Sequence, residues 1–326
     1  MSRELTARQA AALLKTFDNV LILTHVRPDG DTAGCAAALC AGLRALGKRA
    51  YVLENRELTA APAPYVLPYT APADFAPERV VSVDIAAAGL FPENAKRYLD
   101  RVDLAVDHHP SFEGFGRQNL VRPQAAACGE ILYDVLSCLG PITKEIALPL
   151  YVAVSTDTGC FAYGNTTPHT HAVAAALMNT GIDYHTVNKT FFRTKSRRRM
   201  QLEGAMMNDC LFYDEGRVAV LSVPLRLMER FRAAESDAED LSALGPQIEG
   251  VDCAVTMREL RPDVWKFSLR TGPRVNATEI CRRFGGGGHA AAAGCTIEGG
   301  WEEAKERMLR AIREAVPDFQ DQRERP

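Results

Sequence analysis

Short apolar runs alternate with longer small-residue stretches over the first half of the chain. Residues 20–23, 80–83 and 104–106 are brief and almost wholly apolar, and 49–53 has the same character after a basic first residue. Runs of that length and composition predict strands buried on both faces. Between them, residues 32–46 predict a helix with Gly47 at its end, and residues 59–77 form a loop rich in Pro and Ala. Residues 125–139, 144–154 and 168–178 predict further helices. Strands separated by helices imply an α/β fold, with a parallel sheet carrying helices on both faces.

The pattern changes near residue 190. The run Thr194-Lys195-Ser196-Arg197-Arg198-Arg199 sits in a helix-compatible stretch and reads as part of a linker helix over 191–212. Beyond it, residues 218–223, 251–257 and 264–269 predict strands, and 238–244 and 301–315 predict helices. The expected organisation is an N-terminal domain over 1–190, the linker helix, and a smaller C-terminal α/β domain over 213–326.

Composition narrows the function. A chain of 326 residues is longer than one core normally serves. With 38 Lys and Arg against 41 Asp and Glu, the net charge is −3, which excludes broad binding of long duplex nucleic acid. It leaves room for a small anionic substrate beside a bound dication, which inverts the local field. The 9 cysteines include no C-x-x-C pair and read as reduced thiols of a cytoplasmic protein. Residues 1–12 lack the apolar stretch of a signal peptide, and no window reaches the ~18 apolar residues of a membrane span.

The chemistry gathers where strands end. Strand 20–23 runs into His25, Asp29 and Asp31; strand 80–83 ends at Asp84; strand 104–106 ends at Asp107-His108-His109; Asp157 closes an apolar helix. Ligands of an open parallel sheet bind outside the carboxyl ends of its strands. Pro28 and Gly30 interrupt the extended chain, so Asp29 and Asp31 can turn toward one cavity. Carboxylates and imidazoles collected from several strand ends repel one another unless cations neutralise them. Oxygen and imidazole donors without thiolates suit Mn²⁺ or Mg²⁺ better than structural zinc. Two such ions ~3.5–4 Å apart clamp the attacking and leaving oxygens of a phosphoryl transfer. Each cluster alone has a plainer explanation: Asp31 before Thr32 fits a helix cap, and a strand-end histidine fits packing. Their recurrence at successive element ends favours the metal centre.

In the second half, Asn276 and Glu279 have the spacing of a capping box, with the helix expected to end at Phe284. The glycines that follow suggest a concave array of amide donors for an anion, with His289 beside it. Arg270, at a strand end, has the fork geometry for a phosphate.

His25-x-x-x-Asp29-x-Asp31, Asp84, Asp107-His108-His109 and Asp157-Thr158-Gly159 together resemble the four motifs of the DHH phosphoesterase superfamily. Phe284 to His289, followed by residues 290–294, is similar to the glycine-rich signature of the DHH-associated C-terminal domain. The arrangement, spanning nearly the whole chain, most resembles the bacterial nanoRNase and pAp phosphatase branch. The resemblance implies two divalent ions, Mn²⁺ before Mg²⁺. His25, Asp29 and Asp84 would hold one; Asp31, Asp84, His108 and Asp157 would hold the other, with Asp84 bridging. It implies catalytic roles for His109, facing the scissile phosphate, and for Asp107, orienting an imidazole. Arg270, Gly286, Gly287, Gly288 and His289 would hold the substrate end remote from the metals, so that length decides selection. The implied substrates are short single-stranded RNA, degraded to mononucleotides, and 3′-phosphoadenosine 5′-phosphate (pAp). A homodimer is compatible with the resemblance alone. Cys35 stands where family members commonly have Ser. Rival readings are a phosphodiesterase for c-di-AMP or pApA and a nucleotide-binding regulatory protein without catalysis. A missing ligand residue would favour the last, and none is missing. An inorganic pyrophosphatase is disfavoured by the Gly-rich His motif.

Overall fold

The apolar runs of the first half become strands of one all-parallel sheet. The computed structural model describes residues 3–316 and Phe319, and the chain divides into two units, Met1–Thr194 and Lys195–Pro326. The first contains, in chain order, β1 (Arg3–Glu4), α1 (Ala7–Thr16), β2 (Val20–Leu23), α2 (Gly30–Ala45), β3 (Ala50–Val52), α3 (Ala63–Val66), β4 (Arg79–Val83), β5 (Leu104–Asp107) and β6 (Gln118–Val121). Helices α4 (Cys128–Leu139), α5 (Lys144–Asp157), α6 (Pro168–Met178) and α7 (Tyr184–Asn188) follow. The sheet has six strands in the order β1-β6-β5-β4-β2-β3, every pair parallel.

Alternate side chains of each strand go to opposite faces. Val20, Ile22, Val81, Val83, Leu104 and Val106 join the larger core with residues of α1, α2, α4 and α5. Leu21, Leu23, Val80 and Ala105 face the other way, toward Ile85, Phe91, Tyr98 and Val102. That face is covered by 3₁₀ turns at Ala88–Leu90 and Lys96–Arg101 in place of long helices. Helix α2 is buried on almost every side, and its Ala, Gly and Cys residues let α5 lie close against it.

Strand order reverses beside β2, which pairs with β3 on one side and β4 on the other. The loops leaving the carboxyl ends of β2 and β4 therefore diverge, opening the crevice such sheets use for ligands.

The segment read as one linker helix is broken. Lys189–Arg193 forms a π-helical turn, Thr194 is extended, and Ser196 caps α8 (Arg197–Asn208) by accepting the Arg199 N–H at 3.0 Å. Leu202 and Met206 of α8 pack with Ala219, Leu221 and Leu227, so this helix is part of the second unit's core. The second unit continues with β7 (Leu211–Tyr213), β8 (Val218–Val223), α9 (Leu225–Phe231), β9 (Cys253–Arg261), β10 (Val264–Thr271), α10 (Ala277–Arg282), β11 (Gly287–His289), β12 (Ala292–Glu298) and α11 (Trp301–Ala315). Its sheet is mixed, in the order β11-β12-β10-β9-β8-β7, with only β8 and β9 parallel. The helix expected over 238–244 is instead a chain of 3₁₀ turns, with Asp240 at φ 53° and Gly245-Pro246 stopping any longer helix.

Candidate metal centre

Local geometry brings the strand-end residues of the first unit onto one another. After β2 the chain passes His25 and reaches Asp29, which is the N-cap of α2: its Oδ1 accepts the N–H groups of Asp31 and Thr32 at 3.0 and 3.2 Å. The capping role considered for Asp31 thus falls to Asp29, and Asp31 turns inward, 1% exposed. The Thr32 hydroxyl donates to the Val83 carbonyl at 2.9 Å, tying the first turn of α2 to the end of β4. Asp84, the next residue, sits at φ 58°, in the left-handed region that few residues other than Gly, Asn and Asp adopt.

Three overlapping groups of donor atoms result, each within 4.8 Å: His25, Asp29 and Asp84; Asp31, His108 and Asp157; Asp84, His108 and His109. His25 Nε2 stands 3.5 Å from Asp29 Oδ1 and 3.8 Å from Asp84 Oδ2. His108 Nε2 stands 3.9, 3.6 and 3.5 Å from carboxylate oxygens of Asp31, Asp84 and Asp157. Both rings are oriented from behind. His25 Nδ1–H donates to the Val26 carbonyl at 2.8 Å, and His108 Nδ1–H to the Ala125 carbonyl at 3.1 Å. That leaves each Nε2 lone pair directed at the carboxylates, the tautomer a metal requires.

Asp31 is fixed by donors that the sequence reading did not name. Oδ2 accepts the Cys128 N–H at 2.7 Å, and Oδ1 accepts the Gly129 N–H at 3.0 Å, both from the start of α4. The Cys35 thiol donates to Oδ1 at 3.2 Å. The helix expected over 125–139 begins at Cys128, and the sequence does not say that its first amides face Asp31. Asn165, also unforeseen, donates to the carbonyls of Asp157 and Ala126 and steadies the turn after α5.

The electrostatics explain what the cluster needs. Burial, with the neighbouring charges of Asp157 and Asp29, pushes the Asp31 carboxyl well above its ordinary range. Burial and the charge of Asp31 do the same to Asp84, and burial also raises Asp157. Burial pulls the His25 pKa down, but the Asp29 carboxylate outweighs it and the ring ends up raised. Asp84 Oδ1 is buried without a hydrogen-bond partner among the described residues. An orphaned carboxylate oxygen facing two imidazoles fits a cation between them.

His109 differs from the other two rings. Its Nδ1–H donates to Asp107 Oδ1 at 2.8 Å, and its side chain is 37% exposed. The hydrogen bond and charge of Asp107 raise its pKa against the effect of burial. Asp107 is itself fully buried. His169, His171 and His185 belong to none of the donor groups.

In the second unit, Arg270 and His289 both lie opposite Ala292, on the flanking strands β10 and β11. Directly paired residues share a face, and the next row is Ser268, Gly294 and Gly287. Leu269 is buried on the opposite face, among α10 and α11 residues. Arg270 and His289 therefore flank a floor of Ala and Gly. Two of the four glycine amides are taken up by the end of α10 and do not belong to a free array. The N–H groups of Gly285 and Gly286 donate to Arg282 and Cys281, closing α10 two residues before Phe284, and the following residues form the edge strand β11. Helix ends leave carbonyls that must be satisfied, and these glycines satisfy them. Gly288, at φ 143°, would bring a Cβ to 2.5 Å from the Ala292 carbonyl, whereas a Cβ on Gly287 would meet nothing within 4 Å.

Residues 19–154 match the DHH family, N-terminal domain, and residues 232–318 match the DHHA1 domain. The chain is 32% identical to the bifunctional oligoribonuclease and PAP phosphatase NrnA of Thermus thermophilus, over 95% of this chain and 94% of that one. It is 25% identical to the protein of the same description from Bacillus subtilis, over 91% and 94%. Among solved structures, an exopolyphosphatase-related protein from Bacteroides fragilis superposes with a TM-score of 0.84 at 22% identity, covering 97% of each chain.

Proposed function

The chain belongs to the DHH phosphoesterase family, a divalent-metal-dependent phosphoric-ester hydrolase, and on that premise we propose that it degrades short oligoribonucleotides to mononucleotides and removes the 3′-phosphate of pAp. The observation that carries this reading is the sharing of Asp84 between two donor groups, in a chain aligned almost end to end with a bifunctional oligoribonuclease and PAP phosphatase.

His25, Asp29 and Asp84 would hold one cation; Asp31, Asp84, His108 and Asp157 would hold the second, with Asp84 between them. Bound there, divalent ions supply an activated water and neutralise charge on the phosphate. All-oxygen and imidazole donors favour Mn²⁺, with Mg²⁺ the alternative. The protein's own contribution is orientation. The Val26 and Ala125 carbonyls hold the two ligand imidazoles, while Cys128, Gly129 and Cys35 hold Asp31. His109, kept protonated to higher pH by Asp107, is suited to give a proton to the leaving oxygen or to balance charge on the phosphate. In the second unit, Arg270 and His289 would grip the substrate over the floor formed by Ala292, Gly294 and Gly287. Gly286 and Gly288 shape that floor. No helix among the described residues is long and apolar enough to cross a membrane. We place the enzyme in the cytoplasm on its thiol-rich composition, and a homodimer remains part of the proposal through the family alone.

The test is turnover of pAp, 5′-phosphorylated RNAs of two to ten nucleotides, pApA and c-di-AMP, with Mn²⁺ and after chelation. Metal-dependent loss of pAp and the short RNAs is expected. Cleavage of the cyclic dinucleotide alone would sink the proposed substrate class.

A further inference from the structure

The second unit carries a cationic cavity on its helical side that the reading above does not use. It measures about 210 Å³ and is lined by Arg283, Phe284, Arg307, Arg310, Ala311 and Glu314. Arg307 and Arg310 are three apart on α11, so they project from one side of the helix, and Arg283 directly follows α10. The Arg307 guanidinium lies 5.9 Å from the centre of the Phe284 ring and donates to the Glu298 carbonyl at 2.9 Å, which sets its direction. Arg283 pairs with Glu314. Arg310 makes no ion pair or side-chain hydrogen bond with the described residues.

Three guanidinium groups thus share a cavity with one carboxylate. Charges so placed repel, and the ligand that relieves the repulsion is an anion with several acceptor oxygens. Guanidinium forks match phosphate geometry in pairs, as ammonium groups do not. The volume lies below the ~300 Å³ at which pockets begin to enclose drug-sized ligands, and it is ample for a phosphate group. Phe284 also lines a second cavity of about 410 Å³ with Lys266, Gly285, Gly286, Gly294 and Thr296. One ring therefore borders both the arginine cavity and the glycine-rich segment, and a phosphate in the smaller cavity lies next to whatever occupies the larger.

We propose that Arg283, Arg307 and Arg310 form a phosphate-binding site beside the glycine-rich segment, away from the metal centre. Its ligand is a phosphate mono- or diester group, and the inference does not depend on which ester the metal centre cleaves. The experiment is calorimetric titration of the full chain in chelator, so that nothing turns over, with inorganic phosphate and with a 5′-phosphorylated RNA pentanucleotide. R310A is the leading variant because that side chain supports no described contact; R310E is the second, and each is first checked for an unchanged melting temperature. The expected result is at least fivefold weaker binding. For the RNA, the expected slope of log affinity against log salt is shallower by about 0.7 per lost phosphate contact. Weakening for both probes assigns the site to phosphate groups generally, and weakening for the RNA alone assigns it to the phosphates of a strand. Wild-type affinity and slope for both probes in both variants would overturn the proposal.

Discussion

One carboxylate oxygen of Asp107 holds His109 twice, accepting its backbone N–H at 2.6 Å and its ring Nδ1–H at 2.8 Å. The same residue thereby fixes the turn after β5, the tautomer of the ring and its charge. Asp107→Asn keeps the shape and removes the charge. We expect kcat to fall about 10–100-fold, the usual effect of losing such an orienting partner. Asp107 raises the His109 pKa, so its loss lowers it. If His109 gives a proton, activity is lost as pH rises through that pKa, and the alkaline limb of the pH–rate profile must move to lower pH. An unmoved limb would assign the proton to another group.

Asp84 faces both sides of the cluster, with Oδ1 3.6 Å from His108 Nε2 and Oδ2 3.8 Å from His25 Nε2. Asp84→Asn is expected to lower turnover by about 10²–10³-fold or more. It should also reduce the number of Mn²⁺ ions bound in calorimetry. Two ions bound at unchanged affinity would rule out a bridging role.

Stability without metal should depend on pH in an unusual direction. Burial pushes the carboxyls of Asp31 and Asp84 well above the ordinary carboxylate range, so above that range the folded chain binds more protons than the unfolded one. Their contribution is then lost as pH rises through the folded pKa. The chelated protein should melt lower at pH 8 than just above the ordinary carboxylate range, and Mn²⁺ should raise the melting temperature more at pH 8. A chelated protein that gains stability over this interval would contradict the charge balance described for the cluster.

Much of this centre is legible in the sequence, because it obeys local rules. Apolar runs too short for helices end at Asp84 and at Asp107-His108-His109, and a parallel sheet puts strand ends together. What stays hidden depends on contacts distant in sequence. β6, with the short mixed sequence Gln118–Val121, is a strand only because β5 and β1 flank it. The start of α4 matters because Asp31, 97 and 98 positions away from Cys128 and Gly129, accepts their N–H groups. α1 could have been found: Thr6 and Gln9 form a capping box with the spacing the sequence displays. The glycine-rich segment looked like an amide array because local sequence does not say which carbonyls a helix end leaves open.

Two neighbouring glycines separate fold from ligand. Gly288→Ala would strain the chain at φ 143° and press on the Ala292 carbonyl, so the melting temperature should fall by several degrees. Gly287→Ala meets open space and should melt within about 2 °C of the wild type. Its methyl group projects onto the floor shared with Arg270 and His289, and KM for short RNA should rise. Unchanged KM in a folded Gly287→Ala variant would remove this face from the substrate site.

Cys35 donates its S–H to Asp31 Oδ1 at 3.2 Å, and burial raises its thiol pKa well above the ordinary value, so the proton stays on sulfur. Cys35→Ser keeps a donor and should retain Mn²⁺ affinity within about threefold, whereas Cys35→Ala should weaken it about 10-fold. Equal affinity in both variants would show that the two α4 amides alone hold the carboxylate.

Every donor in the cation cluster comes from residues between His25 and Asp157, and Asp157 is the last residue of α5. A ribosome delivers the chain from its N-terminus, and domains generally fold in that order. The whole donor set is thus available while the second sheet is still unmade. The first unit can collect its cations during synthesis, and because they relieve the mutual repulsion of Asp31, Asp84 and Asp157, metal supply favours the first folding step as well as the finished enzyme.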